Sequence, residues 1–307
     1  MPAQTLIVDK ETGARLMQRA TLLAVAAGVF LTLLKAGAWT QTGSVAMLAA
    51  LFDSLVDAIA SFINFLAVRH ALTPADAEHR FGHGKAEALA GLGQSFFILA
   101  SAGFILFEAI SRLIAPQPVE AALAGIVVAA IAILVTIALV LYQRHVIART
   151  GSLAISADSL HYSGDLLMNA AVIGALLLGS FAGIGWADPV FGIAIACTII
   201  VSAWRIVRGA LDQLMDRELS DEDREAIRTL ALSHEGVVDI HELRTRSSGI
   251  HVFIQLHLDL DPGLSFIRAH QISDLVEKQI MAKFPGSEVL IHQDPAGYDG
   301  PRPTPPE

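Results

Sequence analysis

The chain has 307 residues, 53% hydrophobic and 17% charged, with a mean hydropathy of +0.55. Soluble domains run nearer a quarter charged, so this composition excludes a disordered chain, a collagen-like repeat and a disulfide scaffold, and disfavours a plain soluble enzyme. What remains is a polytopic membrane protein with a soluble appendage. Residues 1–211 carry 12 acidic and 12 basic side chains, whereas residues 212–307 carry 18 acidic and 9 basic. The net charge of −9 therefore sits in the last third, which suits cations or a basic partner and argues against nucleic acid. The one cysteine, Cys197, permits no internal disulfide.

A bilayer core needs about 20 apolar residues per helix. Six stretches qualify, at roughly 19–39, 44–68, 88–111, 121–143, 154–179 and 186–206. Lys10, Arg15 and Arg19, then Arg69, Arg80 and Lys85, then Arg144 and Arg149, then Arg205 and Arg208 all fall on one side of the predicted topology. The other side has only Arg112, so the positive-inside rule places both termini in the cytosol. No cleavable signal is expected. After Asp212 the pattern becomes that of a small soluble domain. Ser220 caps a predicted helix at 221–233, with Asp223 completing a capping box. Strands are predicted at 237–246 and 250–260, a helix at 265–284 and a third strand at 287–293. The expected domains are a cytosolic segment at 1–18, six membrane helices at 19–211, an α-β-β-α-β cytosolic domain at 212–295 and a disordered tail at 296–307.

The second span carries Asp53 and Asp57, four apart and so on one helix face; the fifth repeats the spacing with His161 and Asp165. Four such groups left uncompensated in a bilayer would cost on the order of 10 kcal/mol. Asp57 and Asp165 each lie about 16 Å from the inner end of their span, so the two pairs meet at one depth if the spans pack together. No Lys or Arg is expected at that depth. A divalent cation relieves the repulsion of three carboxylates, and three oxygens with one nitrogen suit Zn²⁺ or a similar ion. Asp158 lies nearer the cytosolic end of its span and reads as a helix cap, a flank of the entrance or a transport residue. Asn64 and Asn169 read either as supports of the site or as helix-packing groups. With no HExxH, P-loop or GxSxG pattern, the energy source is expected to be an ion gradient and the protein not an enzyme. A proton-coupled carrier of an organic cation and a membrane-anchored metal sensor are the rival readings.

Three stretches together carry a resemblance. They are Asp53-x-x-x-Asp57 with His161-x-x-x-Asp165, the loop Pro74-Ala75-Asp76-Ala77-Glu78-His79-Arg80-Phe81-Gly82-His83-Gly84-Lys85-Ala86-Glu87, and the closing Ile291-His292-Gln293-Asp294-Pro295. In these the sequence resembles the cation diffusion facilitator family, in its bacterial ferrous-iron and zinc efflux branch, over about residues 15–295. The resemblance implies a homodimer in the cell inner membrane that exports Zn²⁺, Fe²⁺ or Cd²⁺ in exchange for protons. It implies a metallochaperone-like cytosolic domain that binds metal and regulates or stabilises the dimer. It also implies a transport site at Asp53, Asp57, His161 and Asp165, and a loop site at Asp76, His79 and His83. A cytosolic binuclear site would use His241, His257, His270, His292 and Asp294, with Asp294 bridging two ions. His70, His145, His234 and His251 match no ligand position of the family.

Overall fold

The computed structural model describes residues 10–42, 45–114, 123–182 and 187–298. They form two compact units, the first spanning Glu11–Leu214 and the second running from Met215 onward.

The first unit is all helix: α1 Lys10–Thr42, α2 Val45–Ala71, α3 Lys85–Ile114, α4 Leu123–Thr150, α5 Leu153–Ala182 and α6 Ala187–Leu214. Among the described residues, five of these have stretches long and apolar enough to cross a membrane; the other, α5, is the helix that carries Asp158, His161 and Asp165. The helices run past the apolar stretches, because backbone hydrogen bonding continues where the polar residues of a helix end enter water. Small residues let them approach closely. Ala20, Ala24 and Gly28 repeat every four residues on the buried face of α1. A Cβ on Gly28 would stand 2.9 Å from the Ala58 Cα, so α1 and α2 touch almost backbone to backbone. Thr32 Oγ1 donates to the Ser54 carbonyl at 3.0 Å on the same seam. The largest helix interface in this unit joins α3 to α6, and large apolar side chains such as Phe97, Phe104 and Leu134 face outward.

A tight turn links α4 to α5. Gly151 adopts φ 65°, a left-handed conformation that glycine reaches without strain, and its N–H donates to the Ile147 carbonyl at 2.8 Å. Ser152 then caps α5 by accepting from the Ile155 N–H at 3.2 Å. The buried Glu87 of α3 stands beside Ser152, Leu153 and Ala154 at the start of α5. A carboxylate from a neighbouring helix thus sits at the positive end of α5.

The second unit follows the predicted order: α7 Asp221–Leu232, β1 Val237–Ser248, β2 His251–Leu260, α8 Phe266–Lys283 and β3 Ser287–Pro295. Ser220 caps α7 through the Asp223 N–H at 3.1 Å, and Ser265 caps α8 through the Arg268 N–H at 3.3 Å. The sheet order is β1-β2-β3, antiparallel on the first side and parallel on the second. Ile254, Leu256 and Leu258 alternate inward from β2 to meet Ile227 of α7 and Ile272, Val276 and Ile280 of α8. The predicted tail lies from residue 299 onward outside the described residues.

Candidate metal sites

The antiparallel packing of α2 and α5 brings Asp57, His161 and Asp165 together, with ligand atoms within 4.8 Å of one another. His161 Nε2 lies 2.7 Å from Asp57 Oδ1 and 3.7 Å from Asp165 Oδ2. The imidazole stands between two carboxylates of different helices and offsets their repulsion. Asp53 lies one turn before Asp57, more exposed and outside this three-residue cluster.

The expectation that no basic residue reaches this depth is corrected. Lys35 lies within α1, and its Nζ donates to Ser54 Oγ at 2.6 Å, beside Asp53 and within electrostatic reach of Asp53 and Asp165. Its long apolar stem carries the ammonium to a polar group through an apolar helix face. Of the three readings of Asp158, the helix cap falls. The residue is 1% exposed, and Ser152 rather than Asp158 caps α5. Asn64 packs helices, donating to the Ala154 carbonyl at 3.2 Å; the side chain of Asn169 lies outside the described residues.

The loop between α2 and α3 gathers Asp76, His79 and His83. Asp76 Oδ1 accepts from the backbone N–H groups of His79 at 2.6 Å and Glu78 at 2.9 Å. Chiefly the His79 bond holds the Asp76 carboxyl below its ordinary range, although the side chain is exposed. His83 Nδ1 lies 3.0 Å from Thr73 Oγ1, whose only proton is given to the His70 carbonyl at 2.6 Å. The imidazole therefore donates from Nδ1, with Nε2 turned toward Asp76 Oδ2 at 3.4 Å.

In the second unit, strand register builds the cluster. His241 pairs with His257, and His257 with His292, so three histidines form one row across the sheet. His241, His257 and Asp294 bring ligand atoms within 4.8 Å. Asp294 Oδ2 lies 2.8 Å from His257 Nδ1 and 3.6 Å from His241 Nε2, and its Oδ1 lies 3.3 Å from His292 Nε2. The two carboxylate oxygens thus face different histidines. His270 is not brought in; it is exposed on α8 with Nε2 3.8 Å from Asp274. Two acidic neighbours escaped the sequence reading. Asp259 lies 3.4 Å from His241 Nδ1, and Glu242 lies 3.9 Å from His257 Nε2. Glu242 sits at a bulge with φ 46°, a conformation a non-glycine residue adopts only under local constraint. Strand alternation would have flagged Asp259, two residues past His257; the bulge has no sequence signal.

The profile of the cation efflux transmembrane domain matches residues 21–215, and that of the cation efflux protein cytoplasmic domain matches residues 219–296. The cation-efflux pump FieF of Cronobacter sakazakii is 48% identical over 281 residues, covering 92% of this chain and 93% of that protein. The FieF of Klebsiella pneumoniae is 48% identical over 284 residues, covering 92% and 94%. The FieF of Shewanella oneidensis is 47% identical over 276 residues, covering 90% and 93%. Two matched domains, lying end to end over most of the chain and over the two structural units, place it: the chain belongs to the cation diffusion facilitator family, in its bacterial iron and zinc efflux branch, and is a cation efflux transporter of the membrane.

Proposed function

We propose that this transporter exports a divalent transition metal, Zn²⁺ or else Fe²⁺ or Cd²⁺, from the cytosol in exchange for protons by alternating access. The observation that carries the reading is the meeting of Asp57, His161 and Asp165 from two membrane helices. Carboxylates and imidazole bind metal only when deprotonated, so metal and protons compete for the same atoms. Asp53, one turn away, is the fourth ligand of this transport site. Both termini lie on the cytosolic side of the inner membrane, and the chain works as a homodimer. The loop set of Asp76, His79 and His83 is a second site. In the cytosolic domain His241, His257, His292 and Asp294 hold regulatory metal, with Asp294 bridging and His270 recruited from α8.

The test is zinc flux into proteoliposomes under an imposed pH gradient, with wild type beside Asp57→Ala. Gradient-driven flux in the wild type that disappears in the variant supports the reading. An oriented, metal-binding wild type without flux would sink it in favour of a sensor.

A further inference from the structure

Asp158 is the one carboxylate of the cluster's own helices that the proposed transport site does not use. It lies one turn before His161, toward the start of α5, which is its cytosolic end in the proposed orientation. Three helices converge on it. Ser61 of α2 donates to its Oδ1 at 3.1 Å, Gln94 of α3 donates to the same oxygen at 3.1 Å, and Gln143 of α4 donates to Oδ2 at 2.6 Å. Tyr162 OH lies 3.0 Å from Ser61 Oγ and also reaches the Ala24 carbonyl at 3.4 Å, which ties this junction to α1. Ser61 and Asp158 are each 1% exposed and Gln143 is fully buried.

Every direct partner is neutral. Among the described residues no Lys or Arg pairs with Asp158. The charged or titratable groups that reach it are His161 and Tyr162 on α5; Asp57 of α2 lies beyond them against His161, and Glu87 of α3 stands at the start of α5. On α4 its contact is the amide of Gln143. An ionised carboxylate so buried, without a cation, is costly to hold, and taking up a proton relieves the cost.

The amides fit either state. Each turns its nitrogen to Asp158, while Gln94 Oε1 and Gln143 Oε1 have no hydrogen-bond partner, nor has the nearby Asn64 Oδ1. Rotating one amide by half a turn presents a carbonyl oxygen where a nitrogen stood. It then accepts from a carboxylic acid as readily as the nitrogen donates to a carboxylate. The second amide and Ser61 stay in place, so no helix has to move.

We propose that Asp158 is a proton carrier between the Asp57–His161–Asp165 cluster and the cytosol. When metal displaces a proton, an N–H or O–H bond of the cluster breaks and an O–H bond forms on Asp158, which becomes neutral; one amide inverts to accept that O–H. The same bond breaks when the proton leaves to cytosolic water, and the amide turns back. This rests on the reading that metal and protons exchange at the cluster.

The test uses the full-length protein in proteoliposomes, with zinc and internal pH followed together while cytosolic-side pH is varied over about pH 5 to 8. Asp158→Asn keeps the shape and cannot carry the proton. It should leave the half-saturating zinc concentration within about twofold, lower turnover by at least about tenfold, and flatten the dependence on cytosolic-side pH. Gln143→Leu keeps Asp158 but removes one invertible amide. It should shift the pH profile with little change in half-saturation, and it serves if Asp158→Asn does not fold. Wild-type turnover and pH profile in Asp158→Asn would overturn the proposal. So would raised half-saturating zinc with an unaltered pH profile, which is the mark of a purely positioning role, and so would an unmoved profile in Gln143→Leu. A wild type indifferent to pH would defeat proton exchange itself, and that result is read without any variant.

Discussion

Replacing Asp57 with alanine removes the carboxylate that holds His161 from across the α2–α5 seam at 2.7 Å. Gradient-driven zinc flux should fall below detection in that variant while metal binding to the cytosolic domain persists, as measured by titration of the purified protein. Asp294→Ala should do the reverse. It takes one carboxylate away from three histidines at once, so cytosolic-domain affinity should weaken by at least about tenfold, with flux reduced and not abolished. Equal loss of flux in both would merge the two sites into one function. At the loop, Asp76 has a carboxyl pKa below its ordinary 3.8 because folded backbone N–H groups bind the ionised form. Its ionised form therefore supports the loop fully above the ordinary aspartate range, and that support is lost as pH falls through the lower folded value. The meeting of Asp57, His161 and Asp165 was legible, because carboxylates and imidazoles four apart in an apolar run have few bland explanations; the loop and cytosolic groupings rested on the resemblance. Lys35, Glu87 and the partners of Asp158 were not legible. Their roles depend on which side chain of another helix stands opposite, and spacing along one helix says nothing of that.

At the scale of elements, the cluster depends on how closely α1 lies on α2. Gly28→Leu inserts a side chain where even a Cβ stands 2.9 Å from Ala58 Cα, one residue from Asp57. Overpacking of this kind costs about 1–3 kcal/mol, so earlier thermal inactivation in detergent should accompany lowered flux. In the second unit Gly236 has φ 95°, and an added Cβ would meet Ile272 Cδ1 at 2.9 Å. Gly236→Ala should destabilise by about 1–3 kcal/mol, read as faster hydrogen exchange of β1–β3 amides in the full chain. The element order of this unit and both serine caps could be read from the sequence, since capping and alternation are local signals. The parallel pairing of β3 on β2 could not: register is decided by the face that Ile254, Leu256 and Leu258 bury against α8.

The whole molecule divides by charge, with the net −9 confined to residues 212–307. Two such domains in a dimer repel, and bound divalent metal lowers the repulsion. The distance between spin labels on the two cytosolic domains of the dimer should therefore shorten when zinc is added and lengthen again with chelator. An unchanged distance would remove the regulatory part of the proposed function. Membrane class was legible at this scale because insertion depends on summed hydropathy, a property of composition. The assembly of α3 with α6 and the polar junction around Asp158 follow from three-dimensional packing, on which composition is silent.

The row of His241, His257 and His292 across three strands has a consequence for biosynthesis. His257 and Asp294 are separated by 37 positions, with all of α8 between them. As the chain leaves the ribosome, the first two histidines appear on a finished hairpin long before their carboxylate partner. Metal meeting that nascent hairpin finds two imidazoles and a weak grip. The carboxylate joins the two imidazoles only once β3 has paired with β2 in the native register, so the cluster is complete only in a finished domain.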